Sequence, residues 1–124
     1  MVLVDSSAWI AHLYGKAAFT HALSRLGEDE AVLGHEFVYG ELLMGDIGGG
    51  RARLLADYRR YEHAKTVPHR EVVDLVRARK LHGRGIGWVD AQLIAAALAA
   101  GAQLLTNDAA LRDVAETLGI AHAL

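Results

Sequence analysis

Short apolar runs alternate with helical patterns along the whole chain, and this alternation restricts the fold more than any other sequence feature. The runs that predict strands are VLV, EAVLG, KTV and QLLT, and IAHAL would add an edge strand. The seven segments between and after them predict helices, three of which end at Gly27, Gly45 and Gly101. Such alternation predicts an α/β fold, in which a mostly parallel sheet of about four to five short strands is flanked by helices on both faces.

The length and composition of the chain are those of a single domain, which we expect to span residues 1–124. The absence of cysteine excludes disulfides, thiolate metal sites and a cysteine nucleophile. The apolar run LIAAALAAGA is too short to span a bilayer, and the N-terminus lacks the pattern of a signal peptide. These features predict a soluble, cytoplasmic protein.

The net charge of −2 conceals an uneven distribution of charged residues. Residues 51–84 contain ten of the thirteen Lys and Arg and four acids, which is a net +6, whereas the rest of the chain has three basic and eleven acidic residues, a net −8. A basic segment of this kind suits a polyanionic partner, although two solvated helix faces would produce the same pattern.

Two aspartates follow predicted strands that lie far apart in sequence. Asp5 ends the VLV strand, and Asp108 comes just after QLLT. Ligands of a parallel sheet bind beyond the carboxyl ends of its strands, so both carboxylates could face one crevice. The alternative is helix capping, since Asp5, Asn107 and Asp108 each precede a predicted helix and these residue types are good N-caps.

Two further acids occupy positions where apolar residues are expected. Glu41 lies three residues after Val38 and four after Phe37, inside the predicted apolar stripe of its helix. Asp90 lies in the first turn of the most apolar helix of the chain, where the helix dipole favours its ionised form. A buried carboxylate needs an arginine, a proton or a metal ion.

Four acids in such positions favour a divalent cation as their common partner. Carboxylates that converge repel one another unless a cation neutralises them, and oxygen ligands suit Mg²⁺ or Mn²⁺. These ions activate water and stabilise charge during displacement at phosphorus. The four acids are therefore compatible with metal-assisted displacement at phosphorus. The seven histidines form no metal-binding spacing, so we expect surface or packing roles for them.

The segments VLVDSSAWI, VYGELLMG, GIGWVDAQLIAAAL and LLTNDAAL, in this order, resemble those of the PIN-domain ribonucleases, especially the VapC toxins of bacterial toxin–antitoxin pairs. The resemblance extends from Asp5 to about Gly119. It implies a Mg²⁺- or Mn²⁺-dependent endoribonuclease that forms a homodimer and is neutralised by a VapB-like antitoxin. It also implies roles for particular residues, with Ser6 and Thr106 orienting carboxylates or water around a catalytic and metal-binding cluster of Asp5, Glu41, Asp90 and Asp108.

An RNA substrate would give the basic segment a function, because cations must bring the phosphate backbone to the carboxylates. The candidate RNA-binding residues are Arg77, Arg79, Lys80 and Arg84. A non-catalytic RNA- or protein-binding module and a housekeeping PIN nuclease without an antitoxin remain alternatives. A receiver-type signalling domain is disfavoured, because such domains place adjacent acids after the first strand and a lysine near the end, and this chain has neither.

Overall fold

The computed structural model describes residues 1–124 as a four-stranded sheet flanked by seven helices, so the predicted α/β class is confirmed. The strands are β1 (Val2–Val4), β2 (Val32–Gly34), β3 (Glu62–His63) and β4 (Gln103–Leu105). The helices are α1 (Ser6–Leu13), α2 (Ala17–Glu28), α3 (Glu36–Met44), α4 (Arg51–Tyr58), α5 (His69–Arg79), α6 (Trp88–Ala100) and α7 (Ala109–Thr117).

The sheet is parallel throughout, with the strand order β3-β2-β1-β4. Strand β1 is central, and Leu3 pairs with Leu33 on one side and with Leu104 on the other. All three residues of β1 are buried, as expected for a parallel strand that is covered on both faces. The carboxyl ends of all four strands therefore meet at one edge of the sheet.

Helix α6 has more buried residues than any other helix of the chain. Its residues Ala91–Ala97 are all buried, and the helix contacts β1, β4 and α5. It ends at Gly101, whose φ of 64° lies in the left-handed region, as predicted. None of the seven helices is long and apolar enough to cross a membrane.

The third strand lies a few residues earlier than predicted. We expected the helix from Arg51 to continue through His63 and the strand to be KTV, but α4 ends at Tyr58 and β3 is Glu62–His63. Tyr58 is fully buried, and Tyr61 stacks on Trp9 with ring centroids 5.9 Å apart. The burial of Tyr58 and the packing of Tyr61 on Trp9 favour a turn at residues 59–61 over a longer helix.

Two other predicted boundaries are wrong. Helix α2 passes through Gly27 and ends at Glu28, and the left-handed position after it is Glu30, with a φ of 50°. The C-terminal IAHAL segment forms a single parallel bridge, between Ala121 and Leu104, instead of a strand. The chain therefore follows the edge of β4 without extending the sheet by a full strand.

Candidate active site

Asp5 lies where β1 ends and α1 begins, at the carboxyl edge of the sheet. It is only 5% exposed, and its backbone N–H donates to the carbonyl of Leu105 in β4 at 2.9 Å. Asp5 occupies the N-cap position of α1, but its side chain makes no capping hydrogen bond. The capping alternative therefore fails for this side chain, which is held by the hydroxyls of Ser7 in α1 and of Thr106 after β4.

The two oxygens of the Asp5 carboxylate have different environments. Oδ2 accepts hydrogen bonds from the hydroxyls of Ser7, at 2.7 Å, and Thr106, at 2.9 Å. Oδ1 receives only a long contact of 3.5 Å from the Ser6 hydroxyl. The protein thus fixes the carboxylate through Oδ2 and leaves Oδ1 free to bind a ligand.

Ser7 and Thr106 extend this arrangement into a network that connects the ends of β1 and β4. The Ser7 hydroxyl accepts the N–H of Asn107 at 2.9 Å, and the Thr106 hydroxyl accepts the N–H of Asp108 at 3.0 Å. Their hydroxyl oxygens lie 3.0 Å apart. Sequence reasoning missed Ser7. Its position two residues after a strand-end aspartate was the available signal, because Ser at that spacing can reach the Asp carboxylate.

Glu41 lies beside the apolar stripe of α3 and not inside it, which corrects the prediction. In α3 the buried residues are Val38 and Leu42, whereas Glu41 is exposed. Its Oε1 accepts a hydrogen bond from Ser6 at 3.2 Å. Because Ser6 lies next to Asp5, this contact orients the Glu41 carboxylate toward the end of β1.

The remaining two acids lie at the N-termini of helices. The Oδ2 of Asp90 accepts the backbone N–H of Gly87 at 3.1 Å, in the first turn of α6. The Oδ1 of Asp108 accepts the N–H of Leu111 at 3.1 Å and caps α7, so the capping alternative is correct for this residue. Each carboxylate uses one oxygen within its own helix and leaves the other without a partner from the protein.

The four acids influence one another electrostatically. Partial burial raises the pKa of Glu41, and the charges of Asp5 and Asp90 raise it further, against a smaller opposite effect of the Ser6 hydrogen bond. Partial burial also raises the pKa of Asp90, and the charges of Asp5 and Asp108 add to this against the hydrogen bond from Gly87. These mutual charge effects link all four predicted residues, which are together called the acidic cluster below.

The donor set of the acidic cluster suits a hard divalent cation. The salt bridges of the protein, Arg53–Asp57 and Arg84–Asp113, do not involve it, so none of the four carboxylates is paired directly with an arginine or lysine. Carboxylate oxygens are the ligands that Mg²⁺ and Mn²⁺ prefer. As the side chains lie, no three His, Cys, Asp or Glu residues are arranged to enclose a metal ion.

The four predicted RNA-binding residues form no hydrogen bond with the acidic cluster or with the turn after β4. Three of them, Arg77, Arg79 and Lys80, are exposed at the end of α5, and the guanidinium of Arg84 donates to Asp113 at 3.1 Å and to Thr117 at 3.3 Å. Two other cations contact the turn after β4. Lys16 donates to the Asn107 side chain at 3.0 Å, and Arg112 donates to the Thr106 carbonyl at 3.1 Å.

Comparison with known proteins defines the class of this molecule. The PIN-domain family model matches residues 2–117, so the chain belongs to the PIN-domain family. Within that family it is of the VapC ribonuclease type. It is 41% identical over 126 residues to the protein named Ribonuclease VapC32 in two strains of Mycobacterium tuberculosis, CDC 1551 / Oshkosh and ATCC 25618 / H37Rv, and the match covers 99% of this chain and 97% of each relative.

The fold is also similar to that of a solved protein. The crystal structure of PAE2754 from Pyrobaculum aerophilum superimposes with a TM-score of 0.60 and 23% sequence identity, covering 94% of this chain and 90% of that one. At this identity the similarity concerns the fold alone.

Proposed function

We propose that this chain is a Mg²⁺- or Mn²⁺-dependent endoribonuclease that uses Asp5, Glu41, Asp90 and Asp108 to hold the metal ion. The observation that supports this most strongly is the mutual charge effect among four carboxylates from four separate segments, none of which forms a salt bridge with a basic side chain. The ribonuclease name of the relatives, at 41% identity, supports RNA as the substrate.

Asp5 is the residue best prepared to bind a cation. Its carboxylate is fixed by Ser7 and Thr106 through Oδ2, so Oδ1 can bind a ligand without a rearrangement of the side chain. Asp90 and Asp108 each have one carboxylate oxygen free, and Ser6 holds Glu41 toward the same place. A metal ion bound there would supply an activated water and neutralise charge at the scissile phosphate.

The pKa values of Glu41 and Asp90 are raised first by partial burial and then by the charges of the other acids of the cluster. Both carboxyl groups hold protons more tightly than isolated residues do, so protons compete with a cation for these oxygens as pH falls. Metal affinity is therefore expected to decrease at acidic pH. This dependence follows from the residues of the chain and is measurable without a substrate.

The proposal extends to the biological setting of a VapC toxin. We propose that the protein acts in the cytoplasm as a single domain of residues 1–124, forms a homodimer and is neutralised by a VapB-like antitoxin. Leu43 and Met44, which are 46% and 86% exposed at the end of α3, supply apolar surface that a protein partner would cover.

Cleavage of RNA by matched variants tests the catalytic proposal. Wild type, Asp5→Asn and Asp90→Asn are incubated with structured RNA in Mg²⁺, in Mn²⁺ and in EDTA, with Asp74→Asn on the exposed face of α5 as a control. We expect wild type and Asp74→Asn to cleave in either metal and not in EDTA, and both cluster variants to be inactive. Cleavage in EDTA, or full activity of either cluster variant, would contradict the proposal.

A growth assay tests the toxin role separately. Expression of wild type is expected to arrest growth, and Asp90→Asn is expected not to, because it lacks one carboxylate of the cluster. Co-expression of the cognate antitoxin should restore growth. A chain that cleaves RNA in vitro but leaves growth unaffected would be a PIN nuclease without a toxin role.

A further inference from the structure

An open groove of about 470 Å³ runs along α1 beside the acidic cluster. Its lining combines polar, apolar and aromatic groups and includes no acidic residue. Its volume lies within the range of small-ligand sites, about 300–1,000 Å³. The residues that define its two ends and its charge are Ser7, Ile10, Tyr14, Lys16 and Asn107.

One end of the groove is continuous with the acidic cluster. Ser7, which donates to the Asp5 carboxylate, lines the groove together with Asn107, whose N–H binds the Ser7 hydroxyl. Ile10 and Tyr14 follow Ser7 on the same face of α1, three and seven positions later. At the rise of an α-helix, Tyr14 lies about 10 Å from Ser7 along the axis, so the groove leads away from the cluster by roughly that distance.

The groove has a fixed positive charge and an exposed aromatic ring. Lys16 Nζ donates to the Asn107 side chain at 3.0 Å and lies 5.5 Å from the centre of the Phe19 ring, and no carboxylate pairs with it. Tyr14 is 71% exposed, which is unusual for so large a ring. Proteins bind single-stranded nucleic acid with this combination, in which aromatic rings stack on bases and cations contact the backbone.

We propose that this groove binds a nucleotide of the RNA next to the scissile phosphate, with Tyr14 stacked on its base and Lys16 in contact with a phosphate. The inference rests on the proposed ribonuclease function and assigns substrate binding to α1 and the α1–α2 turn instead of α5. An anionic partner fits because the lining contains a cation and no acid, and a base fits because the ring is exposed.

Binding of RNA without cleavage tests the proposal. The protein is titrated in EDTA into a fluorescein-labelled single-stranded oligoribonucleotide of mixed sequence, and fluorescence anisotropy gives Kd at several salt concentrations. Tyr14→Leu is expected to weaken binding by about 5- to 100-fold, whereas Tyr14→Phe, which keeps the ring, should bind like wild type. Lys16→Gln should reduce the slope of log Kd against log salt by about 0.7, the value for one phosphate contact on a single strand, and Lys16→Arg should retain it.

The controls separate this inference from the ribonuclease proposal. Arg25→Gln removes one exposed charge from α2, outside the groove lining, and should leave Kd and its salt dependence unchanged. Thermal unfolding checks that the variants are folded, and Tyr14→Leu tests the groove even if Lys16→Gln is unstable. Unchanged Kd in Tyr14→Leu, an unchanged salt slope in folded Lys16→Gln, equally weakened binding by Arg25→Gln, or no binding by wild type would overturn the proposal. Binding that depends on Tyr14 and Lys16 without cleavage in Mg²⁺ or Mn²⁺ would support the groove and refute the ribonuclease function.

Discussion

The hydroxyl of Ser7 is predicted to contribute more to stability than that of the neighbouring Ser6. Ser7→Ala removes a 2.7 Å hydrogen bond to the Asp5 carboxylate and deprives the Asn107 N–H of its acceptor. A hydrogen bond to a charged group contributes about 1.5–3 kcal/mol, and an unpaired N–H adds to the loss. We therefore expect Ser7→Ala to lower the free energy of unfolding by about 2–4 kcal/mol. For a chain of this length the corresponding decrease in Tm is roughly 8–15 °C.

Ser6→Ala is the matched control for this prediction. The same atom is removed one residue earlier, but its contacts are a 3.2 Å bond to the exposed Glu41 and a 3.5 Å contact to Asp5. The expected loss is below about 1 kcal/mol. Urea titrations of both variants by circular dichroism, without metal, measure the difference. Equal losses for Ser6→Ala and Ser7→Ala would refute the reasoning.

A double-mutant cycle tests whether the effect of Ser7 passes through Asp5. In an Asp5→Ala background, Ser7→Ala should lower the free energy of unfolding by about 1–2 kcal/mol less than in wild type, because the carboxylate that Ser7 binds is already absent. Loss of the network should also weaken cleavage by about 10- to 100-fold, as for other groups that orient metal ligands. Strict additivity of the two substitutions would show that Ser7 acts independently of Asp5.

Two further predictions concern titratable groups. Folding raises the pKa of Glu41 and Asp90, so their ionisation destabilises the metal-free fold and stability increases as pH falls through the folded pKa. Glu41→Gln and Asp90→Asn should therefore raise the Tm of metal-free protein at neutral pH and reduce the further rise on adding Mn²⁺; unchanged or lower Tm values would contradict this. Burial lowers the pKa of His35 from its ordinary 6.5, and its neutral Nδ1 accepts the Phe37 N–H at 3.0 Å. The contribution of neutral His35 to the free energy of unfolding is therefore fully present above pH 6.5 and is lost as pH falls below it. His35→Asn keeps a capping acceptor, so its free energy of unfolding should decrease less than that of wild type between pH 7.5 and 5.5 in urea titrations. An equal decrease would show that His35 is not the source of the pH dependence.

The position of the site could be predicted from a rule about parallel sheets. Asp5 and Asp108 both follow strands, and strands of a parallel sheet end at one edge. The structure adds that β1 and β4 are neighbours, which local patterns do not encode because the two strands lie at opposite ends of the chain. Asp90 was also recognisable, since a carboxylate in an otherwise apolar helix is unusual.

Features that depend on contacts between distant segments could not be predicted. Glu41 was assigned to an apolar stripe because helical spacing alone does not show where burial stops. Ser7, at the start of α1, and Thr106, after β4, both donate to Asp5, and their proximity exists only in the folded sheet. The early end of α4 likewise depends on the packing of Tyr61 against Trp9, which outweighs the helical pattern of the RRYEH segment.

The pairing of β1 with β4 also determines when the molecule can begin to act. Strand β1 is synthesised well before β4, and the side chain that completes the Asp5 environment, Thr106, follows Asp5 by 101 residues. Contacts of such large sequence separation form late, because the loop between them must close first. A growing polypeptide on the ribosome, or a product truncated before residue 106, therefore lacks the complete cluster. On the proposed function, such a nuclease cannot cleave the RNA around it until Thr106 has been synthesised and β4 has paired with β1.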